Sequence, residues 1–194
     1  MTAASHHLAI YNFGVHTEAY LTAPVQGFSL REPFNFEAAS RSVGFIGRSG
    51  YAGEPGPESW GEQVFPRFLR EIGRESGVSS LSLWLDIECL VAFTYAGVHA
   101  DALKHACQWN ERQAWPPLVL FWVKAGERPG WSEAVRRFEL LADQGPCPDA
   151  FNFKSAFTAD GDPYLVNRER IKQLTADNLE TQADLMSAVK ALPV

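Results

Sequence analysis

The chain lacks an apolar run that could cross a bilayer: its longest, Pro116 to Val123, falls far short of the ~20 residues a spanning helix needs. It has no run of basic residues either. A net charge of −6 and a pI near 5.4 argue against a nucleic-acid surface, which normally carries a basic face. Cysteine is sparse. Cys89, Cys107 and Cys147 are odd in number, scattered and never in a Cys-x-x-Cys pair, which implies reduced thiols, no zinc or redox site and a cytoplasmic setting. Met1 to Leu8 lacks the apolar core of a signal peptide. Around Ser49 there is no Gly-x-x-x-x-Gly-Lys pattern, so no phosphate loop is expected. His6, His7 and His16 have no metal-ligand spacing. No Ser/His/Asp or Cys/His set and no paired carboxylates follow from spacing.

What is present is an ordinary globular composition. The 194 residues are 46% hydrophobic and 12% aromatic, with six Trp and thirteen Phe. A length of this order fits one domain, or one domain with an appendage. It should bury roughly 70% of the surface exposed in the unfolded chain. So many aromatics imply a bulky core, a subunit interface or a ligand pocket.

Leu8 to Phe13 reads as a central strand with Asn12 as its one polar side chain. Pro24 and Pro33 read as breakers, followed by a helix over Phe34 to Val43 and a strand over Gly44 to Tyr51. After a Gly/Pro loop from Glu54 to Gly61 and a short amphipathic piece around Val64 to Ile72, Ser79 to Trp84 alternates as a strand does. Asp86 caps a helix that Gly97 interrupts, and a second helix continues to about Asn110. Pro117 to Val123 is apolar without alternation, so both faces of that strand should be covered. Trp131, Ala134, Phe138 and Leu141 form a helical stripe ended by Gly145-Pro146. Ala150 to Phe157 alternates as a half-exposed strand would. Beyond Asp160 a helical tail carries the stripe Leu185, Val189 and Leu192, which must bury against this domain or a partner subunit. The order implies a ferredoxin-like α+β domain over 1–160 and a helical C-terminal extension over 161–194.

The segments Ser82 to Leu90, Phe93-Thr94-Tyr95 and Val98-His99, with Trp109, Leu120 to Pro129, Glu133-Ala134, Gly145-Pro146, Ala150 to Phe153 and Phe157, resemble the bacterial domain-of-unknown-function family numbered 3291. The resemblance covers about Leu8 to Phe157. Glu54 to Val78 is longer than the usual link between strands, and Asp160 to Val194 lies outside the pattern. The resemblance implies a homodimeric α+β barrel similar to the antibiotic-biosynthesis monooxygenase superfamily. There two ferredoxin-like sheets meet, and each half holds a pocket between sheet and helices.

His99 is the sharpest candidate for chemistry. At helical spacing it shares a stripe with Leu103 and Ala106, which places it toward the sheet. It could be a base, a substrate contact, a haem ligand, or a core histidine satisfied by a backbone carbonyl or hydroxyl. His105 falls on the opposite, solvated face. Tyr95 could bond a substrate or His99; Trp84 and Trp122 could stack on a flat ligand; Arg48 and Lys104 could bind a carboxylate or haem propionate. Packing or surface salt bridging is the alternative for each. Glu88 and Glu133 read as structural residues in first helical turns. The superfamily resemblance implies that Asn12 orients a substrate oxygen. The expected function is a cofactor-free monooxygenase-like or isomerase-like enzyme acting on a small aromatic or polyketide-like molecule. The alternatives are a non-catalytic dimeric metabolite-binding module and a haem protein with His99 as axial ligand. No resident metal, nucleic acid or membrane partner is expected.

Overall fold

β1 (His6–Gly14), β2 (Phe45–Arg48), β3 (Val78–Trp84) and β4 (Leu118–Lys124) form one sheet in the order β2-β3-β1-β4. The computed structural model describes residues 5–193; residues 1–4 and 194, the outer ends of the two expected segments, lie outside the described residues. β1 is antiparallel to β3, with Tyr11 opposite Leu81, and to β4, with Tyr11 opposite Val119. Successive side chains of β1 point to opposite faces, so Ala9, Tyr11 and Phe13 share one face and Leu8, Ile10 and Asn12 the other.

The first face packs against α5 (Trp131–Gln144). Tyr11 meets the edges of Trp131 and Phe138 at centroid distances of 6.2 and 5.5 Å, and Phe13 meets Phe138 at 5.9 Å. On the second face Leu8, Ile10 and Leu120 are also buried, in keeping with the unbroken apolar run of β4. The α5 stripe Trp131, Ala134, Phe138 and Leu141 is buried throughout, and Gly145 ends the helix at φ +78°. The short α2 (Arg67–Glu71) lies nearby, its Phe68 stacked on Trp115 at 5.2 Å.

The chain gathers into two units. The sheet unit comprises 1–14, 46–85 and 113–165; the helical unit comprises 15–45, 86–112 and 166–194. The second holds α1 (Gln26–Arg41), α3 (Ile87–Thr94), α4 (Gly97–Trp109), α6 (Arg168–Thr181) and α7 (Ala183–Val189). Within it the tail stripe finds its partner in its own chain. Leu185 and Val189 cluster with Ala38 and Val98, and Phe34, Phe93 and Leu192 pack around them.

Polar contacts fix the tail along its length. Asn167 N–H donates to Glu88 Oε1 at 2.9 Å, and Arg170 reaches Asp86 Oδ2 at 2.6 Å and Glu88 Oε2 at 3.4 Å. Gln182 Nε2 donates to the Ala38 carbonyl and to Ser42 Oγ. The buried Arg31 donates to Asp101 and to the Pro193 carbonyl.

Two expected boundaries differ. α1 starts at Gln26 and runs through Pro33, because the lost hydrogen bond and ring of Pro33 fall on an exposed side of the helix. The alternating stretch Ala150 to Phe157 forms no strand, only isolated bridges such as Leu120–Phe151. Asn152 Oδ1 accepts the N–H groups of Lys154 and Ser155, and this side-chain turn bends the segment away from extended pairing.

Candidate functional site

The geometry around His99 begins with the end of a helix. Asp86 starts α3 by accepting the Cys89 N–H at 2.9 Å, the expected cap. Gly97, at φ +56°, turns the chain from α3 into α4; a residue with a Cβ is strained there. The carbonyls of the last turn of α3 have no partner within that helix, and Thr94 supplies one of them. His99 Nδ1 lies 2.9 Å from the Thr94 oxygen. A carbonyl only accepts, so Nδ1 carries the hydrogen. Burial holds the imidazole below its usual value of 6.5, with the Thr94 bond opposing that effect. At neutral pH the ring is therefore uncharged, with Nε2 as its acceptor. No hydrogen bond to Nε2 occurs among the described residues. The ring leans on Phe93 at a centroid distance of 4.8 Å.

The surroundings of α4 differ from the expected stripe. Leu103 is exposed, whereas Val98 and Trp109 are the buried residues of the helix. His99 is half-buried at the margin of that inward face. His105, expected on the solvated far side, is half-buried with its ring 5.8 Å from Trp109. Tyr95, the C-cap of α3, is 58% exposed. His99 Nδ1 bonds the Thr94 carbonyl, not the Tyr95 hydroxyl.

The sheet unit holds four other candidates. Asn12 Nδ2 donates to Ser80 Oγ at 3.1 Å, its register partner on β3. Trp84 and Trp122 both oppose Leu8 and so flank it on the Asn12 face. Each uses its indole N–H within the protein: Trp84 donates to Ser82 Oγ at 3.0 Å and Trp122 to the Phe157 carbonyl at 2.8 Å. Trp84 is buried and Trp122 half-buried. Arg48 lies on β2 and donates to the Ser49 carbonyl at 3.1 Å. Thus Asn12, Trp84 and Trp122 share one face of the sheet, while His99 and Tyr95 belong to the helical unit. Glu133 and Glu88 are held in ion pairs with Arg137 and Arg170.

Sequence reasoning weighed His16 only as a metal ligand. Its ring nitrogens are buried and lack partners of hydrogen-bond geometry among the described residues. The Asn110 side chain and Trp109 carbonyl lie close enough to favour the charged ring, yet desolvation prevails and lowers its pKa. Phe28 approaches edge-on at 4.6 Å. Asn110 and Trp109 are remote in sequence, and no spacing signal marks such a site.

Among the described residues, no group of three His, Cys, Asp or Glu could hold a metal ion, and no helix is long and apolar enough to cross a membrane. A family model described as a domain of unknown function, DUF3291, matches residues 7–167. No curated protein and no solved structure matches the chain.

Proposed function

We propose, from the premise that the chain belongs to the DUF3291 family, that it binds a small, largely apolar or aromatic molecule at α4, with His99 Nε2 as the polar contact. The observation that carries this reading is the 2.9 Å bond from Nδ1 to the Thr94 carbonyl. It fixes the tautomer and leaves a neutral acceptor on a ring supported by Phe93. Such a nitrogen can accept a ligand hydroxyl, or take a proton in an isomerase-like or cofactor-free monooxygenase-like reaction. Tyr95, exposed at the end of α3, is the second ligand contact in this reading. Asn12 donates to Ser80 Oγ within the sheet unit, which favours a local role there. The internal bonds of Trp84 and Trp122 support packing over polar recognition, and the bond of Arg48 to the Ser49 carbonyl favours a local role.

The same hydrogen bond supports a second reading. Metal-bound histidines commonly donate their other ring N–H to a carbonyl, so His99 Nε2 would be the group that holds a haem iron. Bound haem would supply redox or oxygen chemistry; the role of this chain would be to hold the imidazole tautomer and orientation.

The strand order β2-β3-β1-β4 supports a ferredoxin-like reading of the sheet. A face-to-face barrel has less support. α5 lies on one face, and the apolar side chains of the other are buried, which leaves no bare sheet for a second copy. A homodimer would therefore use another surface.

The test compares the protein with its His99→Ala variant in a thermal-shift panel of small phenols, alongside a haemin titration followed by absorbance. The expected result is a ligand-dependent rise in Tm with affinity roughly 2- to 10-fold lower in the variant, the effect of one neutral hydrogen bond. Equal shifts in both proteins would remove His99 from the site. A stoichiometric Soret band lost in the variant would select the haem reading. Binding without turnover would make the protein a metabolite-binding module.

A further inference from the structure

β4 forms one edge of the sheet, and its outer side is only partly paired. Phe13 N–H donates to the Pro117 carbonyl and Ala125 N–H to the Ser5 carbonyl. The odd-numbered residues of β4 therefore turn their backbone groups toward β1, and Leu118, Leu120, Trp122 and Lys124 turn theirs outward. Leu120 exchanges two hydrogen bonds with Phe151, at 2.8 and 2.9 Å. The next partner along the same register would be Asp149, opposite Trp122, but that pairing does not form. The chain turns between Cys147 and Ala150, whose backbones bond each other. The Asp149 carbonyl instead accepts from Arg137 Nη1 at 2.6 Å. Among the described residues nothing bonds the N–H or C=O of Trp122, or the N–H of Lys124.

A pocket of about 260 Å³ opens at this stretch of edge, lined by His6, Trp122, Lys124, Glu127, Arg128 and Arg137 among others. Arg137 is fixed, stacked over Phe121 at 4.9 Å and forked onto Glu133. Its charge is spent within the protein. Lys124 has no ion pair among the described residues, and the exposed Arg128 lies 3.7 Å from Glu58 and 5.9 Å over the Trp60 ring. The pocket thus combines an unpaired backbone donor and acceptor with one unpaired cation, Lys124, and a second, Arg128, whose long surface ion pair an incoming anion can replace. Glu127 leaves it too mixed in charge for a bare polyanion.

We propose that the β4 edge is a docking site for the C-terminal end of an extended peptide. The peptide adds as a short strand against Trp122, and its terminal carboxylate is taken by Lys124 and Arg128. Backbone pairing supplies affinity at a sheet edge, and capture of the carboxylate fixes which end of the peptide is read. The fork of Arg137 on Glu133 and Asp149 is a positioning element, because it draws the 147–150 turn off the edge.

The test uses the ¹⁵N-labelled full chain, titrated with an N-acetylated alanine-valine pentapeptide bearing a free carboxylate, and with the same peptide amidated. The Trp122 and Lys124 backbone amides are expected to shift and saturate with the acid, while the inward amides of Phe121 and Val123 move much less. Binding should be about tenfold weaker for the amidated peptide and for Lys124→Met with the acid, as loss of a charge-assisted hydrogen bond predicts. Lys124 is exposed, so the variant keeps the fold. No saturable shift at millimolar peptide, equal binding of acid and amide, or equal movement of inward and outward amides would each overturn the proposal.

Discussion

Single side chains in this protein are governed by burial more than by charge. His16 and His99 are both held neutral by desolvation, with pKa values lowered from 6.5. A lowered folded-state pKa means that the unfolded chain binds more protons in the window just below 6.5. Stability therefore rises with pH through that window and levels off above it. The expected outcome is a Tm that falls as pH drops from neutral to about 5, with a shallower fall in the His16→Gln/His99→Gln double variant. An unchanged slope would mean that neither ring is desolvated as described. The cysteines extend the same argument. Burial pushes the Cys89 thiol up to about 12, whereas Cys107 is exposed. Only the thiolate is nucleophilic, so mass spectrometry after mild alkylation should find Cys107 modified and Cys89 intact.

The elements are decided by a few positions where the chain must turn. Gly97 combines a left-handed φ with a close approach, since a Cβ there would lie 2.8 Å from Gln182 Oε1. Gly97→Ala should lower stability by about 1–2 kcal/mol from the backbone alone, and further unless Gln182 shifts. Gly126→Ala, at φ +90° with open space around it, should carry the backbone cost only. Thermal unfolding of the two variants separates the effects; a smaller loss at Gly97 would contradict the packing. The same scale explains what could be read in advance. β1 and β4 were legible as apolar runs, α5 as an apolar stripe at helical spacing, and Asp86 as a cap. The start of α1 was hidden by Pro33, whose exposed position no pattern reveals. The alternation of Ala150 to Phe157 mimicked a strand because the Asn152 turn acts through one side-chain oxygen.

At the scale of the whole molecule, the helical tail belongs to the unit that contains His99. Leu174, Leu185 and Val189 are buried there, and Glu88 is 2% exposed beneath Asn167 and Arg170. The family model ends at residue 167, yet a chain stopped there would bare Val98 and take Arg170 away from Glu88. Each of the three apolar side chains contributes roughly 1.5–3 kcal/mol. Removal of residues 168–194 should therefore abolish a cooperative thermal transition of the helical unit, as followed by circular dichroism. A truncated chain with unchanged melting would show that the tail is a passive appendage. His99 was legible only as a histidine beside the helix break at Gly97, since Leu103 of its expected stripe is exposed. Its partner was not, since the bond to Thr94 depends on the turn at Gly97. The open edge at Trp122 was equally hidden, because it is defined by a pairing with Asp149 that does not form.

The central claim concerns one ring, and imidazole ¹⁵N–¹H correlation at neutral pH tests it most directly. The account predicts a neutral His99 with the hydrogen on Nδ1, a titration midpoint below 6.5, and an Nε2 resonance that moves when a small phenol binds. A ring that is charged at neutral pH, or that carries its hydrogen on Nε2, would contradict it.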